Sequence, residues 1–290
     1  MPTSDEGVLL NFSGYGGIRL VGERRGAENS PIVILLHGGG QTRHAWSNAA
    51  RSLAGAGFCA ITLDARGHGD SDWAPEGDYS IDALVEDLCR VIKQVGGAHG
   101  LVGASMGGIT AMVAVGEHKV QTVNRLVLVD IAPRVESEGV QRIINFMGAN
   151  PDGFATLDEV QAAVAAYNPH RRRQSDTTGL RKNLRQREDG RFYWHWDPRF
   201  LECATRSDAG ETLSRLERRM NAARGVQIPT LLVRGAGSDV VSSECVRELL
   251  ELIPHANVVD IAGAGHMVAG DRNDVFTTAV LSFLKPEFAV

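Results

Sequence analysis

Short apolar runs, each closed by a glycine or polar cluster and followed by helical periodicity, recur along this chain and leave it few possible folds. Pro31-Ile32-Val33-Ile34-Leu35-Leu36 is apolar without interruption and runs into His37-Gly38-Gly39-Gly40. A strand with no polar alternation is buried on both faces, which is the condition of a parallel sheet covered by helices. The same pattern returns at Cys59–Leu63, His99–Val102 and Arg125–Val129. Helices are expected at about 44–56, 80–95 and from Ser105 to about Glu117, with Gly55 and Gly57 closing the first. Two shorter strands, Val8–Phe12 and Ile18–Arg24, flank a turn at Gly14–Gly17 ahead of this alternation.

The rhythm breaks after Asp130. Residues 133–224 contain no convincing buried strand and read as helices joined by polar loops. Alternation resumes with a strand at Pro229–Val233, a helix near 242–253, a strand at Asn257–Ile261 and a helix at about 274–284. The chain therefore divides into a core at 1–132, a helical cap at 133–224 and the rest of the core at 225–290. Strand followed by helix throughout the two outer pieces defines an α/β architecture with a cap inserted between two strands.

Gly103-Ala104-Ser105-Met106-Gly107 stands at the junction of a buried strand and a helix. Small residues on both sides of a serine at such a turn let strand and helix pass closely, and the strained serine presents its hydroxyl to substrate. A serine hydroxyl is a weak nucleophile until a base takes its proton. His266, in Gly263-Ala264-Gly265-His266-Met267, follows the last strand on a glycine-rich loop and is the best-placed base. The imidazole needs a carboxylate to hold its tautomer and stabilise its cation. Asp239, in the loop after the strand at 229–233, is the first choice, and Asp130, which also ends a strand, is the rival. Asp260 lies within a strand, and Asp271 and Asp274 follow the histidine too soon. For the oxyanion of acyl transfer, the elbow offers the Met106 N–H. The second donor is expected from the loop after the first parallel strand, at Gly39 or alternatively Gly40, with His37 shaping that loop.

Taken together, these residues resemble the α/β-hydrolase superfamily, in its cap-bearing, esterase-like serine branch. The resemblance runs from the His37-Gly38 loop to His266. It implies an eight-stranded, mostly parallel sheet with antiparallel first strands, a Ser105–Asp239–His266 triad and a two-step acyl-enzyme mechanism. It also implies that the turn Asp64-Ala65-Arg66-Gly67-His68-Gly69-Asp70-Ser71 is a structural signature of that branch. Epoxide hydrolases and haloalkane dehalogenases of the branch carry aspartate at the elbow, so Ser105 disfavours their chemistry. The expected activity is hydrolysis of a small carboxylic ester or lactone. Alternatives with the same triad are cleavage of a carbon–carbon bond in a vinylogous diketone and perhydrolysis, and a non-catalytic binder of the same fold is a further one.

Other features bound this reading. A formal net charge of −5 over 290 residues argues against a general nucleic-acid binder. No apolar run approaches the ~18 residues that a bilayer span requires. The four cysteines are scattered without CxxC spacing, and the first residues lack the basic and apolar regions of a signal peptide, so a cytoplasmic protein is expected. Gly67-His68-Gly69 has no partners at metal-ligand spacing, and the glycines at 38–40 lack a Walker lysine or Rossmann spacing, so neither metal nor cofactor is expected. The cap carries Phe192-Tyr193-Trp194-His195-Trp196-Asp197-Pro198. This cluster either packs the cap onto the core or gives Trp194 or Trp196 to an apolar substrate pocket, with Gly40 a further candidate contact. From Arg171 to Arg219 there are 13 Lys/Arg against 8 Asp/Glu, most of them solvated helix faces and a few available to orient a substrate carboxylate. The expected partner is a small-molecule ester or lactone, with no nucleic acid and no membrane, and no feature selects an oligomeric state.

Overall fold

The computed structural model describes residues 7–167, 178–205, 209–266 and 273–285. Arg171, Met267 and Asp271 lie outside the described residues. Strands β1 (Val8–Ser13), β2 (Arg19–Arg25), β3 (Ile32–Leu36), β4 (Cys59–Leu63), β5 (Ala98–Ala104), β6 (Val123–Val129), β9 (Thr230–Gly235) and β10 (Asn257–Ile261) make one sheet. Its order is β1-β2-β4-β3-β5-β6-β9-β10. The pairs β1–β2 and β2–β4 are antiparallel and the others parallel. The uninterrupted apolar runs do lie buried on both faces. Ile34, Leu36, Leu126 and Leu128 pack on one side with Val85, Leu88, Val113 and Leu249. Val33, Leu35, Val127 and Val129 pack on the other with Trp46, Leu53, Phe276 and Val280.

The helices that cover the sheet have local causes. In α2 (Ile81–Gln94) the Ser80 side chain accepts the Ala83 N–H at 3.3 Å, and Asp82 sits in the positive first turn. Leu84, Leu88 and Val91 recur on its buried face at helical spacing. The helix expected at 44–56 opens with a 3-10 turn, Arg43–Trp46, and continues as α1 (Ser47–Gly55). Helix α3 (Met106–Gly116) has no polar face, because it is enclosed between the sheet and other helices. Glycines make that enclosure possible: a side chain at Gly116 would strike the carbonyl of Ala222, and one at Gly225 the carbonyl of Gly116.

Between β6 and β9 lie α4 (Ser137–Gly148), α5 (Leu157–Tyr167), α6 (Thr178–Arg181), α7 (Arg199–Thr205) and α8 (Ala209–Gly225). Two details differ from the sequence reading. A short hairpin, β7 (Leu184–Gln186) with β8 (Phe192–Trp194), stands among these helices. Its strands have three residues each and are partly exposed, so they carry none of the apolar continuity that marks a buried strand. In addition, Ala222 and Ala223 near the end of α8 are buried in the sheet-covering core, so α8 reaches back from the inserted block onto the main body. Among the described residues no helix is long and apolar enough to cross a membrane.

Candidate active site

Ser105 sits between β5 and α3 with φ 45° and ψ −115°, a positive φ that a non-glycine residue adopts only when its surroundings impose it. The glycines around it have steric reasons. A side chain at Gly103 would meet the Gly107 carbonyl at 2.5 Å, and one at Gly107 would meet the Leu36 carbonyl at 2.5 Å. The Ser105 N–H donates to Val129 O at 3.3 Å and the Gly107 N–H to His37 O at 3.2 Å, so both neighbouring strands hold the elbow. Among the described residues neither Ser105 Oγ nor His266 Nε2 has a hydrogen-bond partner.

The carboxylate beside His266 is Asp130. Its Oδ2 lies 2.7 Å from His266 Nδ1 and accepts the Ser238 hydroxyl at 2.5 Å, while Oδ1 accepts the Gly235 N–H at 3.0 Å. Asp130 is fully buried at the end of β6, next in the sheet to the strand that carries Ser105. Asp239, the first choice from sequence, is not at this position and instead pairs with Arg142 of α4. The loop after β9 explains the difference. Ser238 turns its hydroxyl to Asp130 and accepts the N–H groups of Val240 and Val241, and the following residue points away to the α4 side. Chain order did not separate the candidates, because both aspartates fall between Ser105 and His266.

The loop after β3 can be read donor by donor. The Gly38 N–H donates to Gln41 Oε1 at 3.1 Å, the Gly40 N–H to His68 Nε2 at 3.1 Å and the Gln41 N–H to Gly38 O at 3.1 Å. Among the described residues the N–H groups of Gly39 and Met106 have no acceptor. Gly38 packs against the elbow, where a side chain would come within 3.2 Å of Ser105 Cβ. A strained serine, a buried carboxylate paired with a partly buried histidine, and two peptide N–H groups without an acceptor among the described residues thus share the carboxyl edge of the parallel strands. The family model described as the alpha/beta hydrolase fold matches residues 31–272. The chain belongs to this family.

Two curated relatives are ester-cleaving hydrolases. An esterase of Mycobacterium tuberculosis is 32% identical over 257 residues, covering 84% of this chain and 79% of the relative. An sn-1-specific diacylglycerol lipase of Xenopus laevis is 32% identical over 277 residues, covering 90% and 81%. Among solved structures, the M. tuberculosis esterase superposes with a TM-score of 0.73 at 28% identity, over 96% of this chain and 92% of the other. An E-2-(acetamidomethylene)succinate hydrolase superposes with a TM-score of 0.82 at 23% identity, over 96% and 99%, which is a likeness of fold. This α/β hydrolase is an enzyme of the hydrolase class.

Three buried histidines back the loop of this hydrolase. His37 Nε2 accepts the Ala65 N–H at 3.0 Å and its Nδ1 faces Gly38 O at 2.8 Å. His68 Nδ1 faces Arg66 O at 3.0 Å, opposite the Nε2 that accepts from Gly40. His195 Nδ1 accepts the Gly69 N–H at 2.8 Å and its Nε2 faces Gly40 O at 3.3 Å. Each ring must be neutral, with one nitrogen donating and one accepting. Burial pushes all three below the ordinary histidine range, His68 to about 3 with the neighbouring His37 adding to the effect. Asp64, fully buried, anchors the signature turn by accepting from Arg43 and from the N–H groups of Arg43 and Asp70.

The aromatic cluster divides by role. Trp196 is buried and stacks on Trp194 with ring centres 5.0 Å apart, so it packs the inserted block. Trp194 is half-buried, with Phe146 and Phe154 against its other sides. Gly40 has both backbone polar groups engaged by histidines and a φ of 72°, so it shapes the loop. Two residues absent from the sequence reading stand beside the free donor: a methyl on Gly39 would touch the Phe200 ring at 3.5 Å, and one on Gly40 would meet Met147 at 3.1 Å. Phe200 and Met147 come from helices α7 and α4 of the inserted block, whose packing has no periodic signal in sequence.

Proposed function

We propose that this α/β hydrolase cleaves a small carboxylic ester or lactone through an acyl-enzyme on Ser105, with Asp130 rather than Asp239 as the triad acid. The observation that carries the reading is the Asp130–His266 contact at 2.7 Å, on the strand next to the strained serine. Ionised Asp130 keeps the proton of His266 on Nδ1, which leaves Nε2 as base. Ser105 Oγ attacks the substrate carbonyl carbon as its proton passes to His266 Nε2. The oxyanion forms between the N–H groups of Gly39 and Met106, and donors already fixed there need no reorganisation in the transition state. On collapse the C–O bond to the alcohol breaks and His266 returns the proton to the leaving oxygen. Water then attacks the acyl carbon, His266 takes its proton, and the acid departs as Ser105 recovers its hydrogen. In a lactone the leaving alcohol remains tethered to the acyl group, and the same steps give a hydroxy acid.

The curated relatives named as an esterase and a diacylglycerol lipase support ester cleavage. Phe200 and Met147 over the oxyanion loop support an apolar acyl group of modest size. The inserted block is proposed as the cap that sets this size. The reading is tested with a panel of p-nitrophenyl esters of increasing chain length and simple lactones, on wild type and Ser105→Ala. Turnover of short-chain esters or lactones that vanishes in the variant is expected. Turnover of a vinylogous diketone with every ester and lactone inert would replace the ester reading.

A further inference from the structure

We propose that His195, carried just after the hairpin of the inserted block, is a positioning residue for the oxyanion loop and couples the seating of that block to the rate of acyl transfer. The inference rests on the serine-hydrolase reading above. Its starting point is the turn Gly38-Gly39-Gly40-Gln41, closed by the Gln41 N–H to Gly38 O at 3.1 Å. Gly40 has φ 72° while Gly39 does not take a positive φ, which is the pattern of a type II turn. With glycine at both central positions, no side chain opposes rotation of the peptide between them. Were that peptide to turn over, the Gly40 N–H would leave His68 Nε2, the Gly39 carbonyl would take its side, and the turn that presents the Gly39 N–H would change form.

Two histidines oppose that rotation. His68 Nε2 accepts the Gly40 N–H, which belongs to the central peptide, and His195 Nε2 donates to the Gly40 carbonyl on the next one. His195 in turn depends on its own setting. Its Nδ1 accepts the Gly69 N–H, which leaves the proton on Nε2, where Gly40 O needs it. Arg185 of β7 donates to Gly69 O at 2.6 Å, and the Asp197 N–H donates to Gly67 O at 2.9 Å, so the hairpin and the segment after it hold the turn that carries His68 at the residue on either side of it. His195 and His68 are buried, 2% and 0% exposed, so bulk solvent does not reach these contacts. The inserted block therefore holds the backbone of the oxyanion loop by a hydrogen bond from this imidazole, apart from the apolar contacts that Phe200 and Met147 make with it.

The test compares His195→Gln with His195→Asn. Glutamine places an N–H donor where Nε2 stands and keeps the bond to Gly40 O. Asparagine places an acceptor where Nδ1 stands and keeps only the Gly69 bond. Steady-state kinetics with p-nitrophenyl acetate should show kcat lowered roughly 10- to 100-fold in the asparagine variant with KM within about twofold, and kcat within about threefold of wild type in the glutamine variant. Equal kcat in the two variants, or losses that follow Tm alone, would overturn the proposal. If neither variant folds, nitrogen-15 shifts of the wild-type imidazoles decide: the proposal requires His195 protonated on Nε2 and His68 on Nδ1 at neutral pH, and the opposite tautomer of His195 would overturn it. Wild type that labels with a fluorophosphonate at Ser105 while the two variants behave alike would defeat this proposal alone. Wild type that takes no label would defeat the serine-hydrolase reading beneath it.

Discussion

Replacing Asp130 by asparagine should disable the enzyme by reversing a proton rather than by moving an atom. Asp130 Oδ2 accepts from both Ser238 Oγ and His266 Nδ1, and Oδ1 accepts from the Gly235 N–H. In Asp130→Asn the carbonyl oxygen can still accept from Gly235, which places the amide NH2 against Ser238 and His266. The serine hydroxyl can rotate to accept, but Nδ1 can accept only by giving up its proton. The imidazole then carries its hydrogen on Nε2 and has no lone pair for Ser105. A wrong tautomer with intact geometry costs about 10⁴ in kcat in the best-studied serine triad, so kcat/KM should fall about 10³- to 10⁴-fold. At 1.36 kcal/mol per decade this is about 4 to 5.5 kcal/mol of transition-state stabilisation. Asp239→Asn supplies the control. It severs a partly exposed pair with Arg142, 34% and 59% exposed, an interaction worth at most about 1 kcal/mol of stability and separate from the Asp130–His266 contact. Its kcat/KM should stay within about threefold of wild type, since that interaction reaches no reacting atom. Both are measured with p-nitrophenyl acetate, with Tm recorded to exclude unfolding. A collapse of activity in Asp239→Asn together with near-normal activity in Asp130→Asn would refute the assignment.

Three other outcomes follow from the same geometry. Gly107→Ala drives a methyl into the Leu36 backbone and should cost about 1–3 kcal/mol or more, seen as a lower denaturant midpoint; an unchanged midpoint would contradict a close strand–helix passage at the elbow. The buried neutral histidines should make stability fall as the solution is acidified. Their folded pKa values lie below the unfolded value of 6.5, so their contribution is full above 6.5 and is lost as pH falls towards the folded value, about 3 for His68. Each contributes up to about 1.4 kcal/mol per pH unit in that window, and His68→Gln should flatten the dependence measured by chemical denaturation between pH 7 and 4, whereas an equally steep variant would exclude His68 as a cause. The kcat separation of His195→Asn from His195→Gln completes the set and reads the oxyanion loop directly.

What the sequence made legible was whatever the backbone dictates locally. The unbroken run at Ile32–Leu36 required burial on both faces, and the glycines flanking Ser105 required a close strand–helix passage. Both are found, because side-chain volume and strand period act over a few residues. The acid was harder for a definite reason. Asp130 and Asp239 each follow a strand, and the orientation of the Ser238 hydroxyl and the positive φ of 47° at Asp130 help to turn one of them, rather than the other, to the imidazole. Neither quantity has a local sequence signature. The inserted block was the least legible. Its strands pair over three residues, and its contacts on Gly39 and Gly40 come from Phe200 and Met147, more than 100 positions away in the chain. His195 belongs to the same class: as part of an aromatic cluster it looked like packing, and its use lies in two hydrogen bonds to glycines of distant loops.

The central claim, that Ser105 is an activated nucleophile, is tested most directly by its reaction with a fluorophosphonate. Wild-type protein should gain the mass of one phosphonyl group, and the modified peptide should map to Ser105. Ser105→Ala should gain none, and prior incubation with a turned-over ester should slow the labelling of wild type. Folded wild-type protein that takes up no label, or takes it up at another residue, would contradict the account.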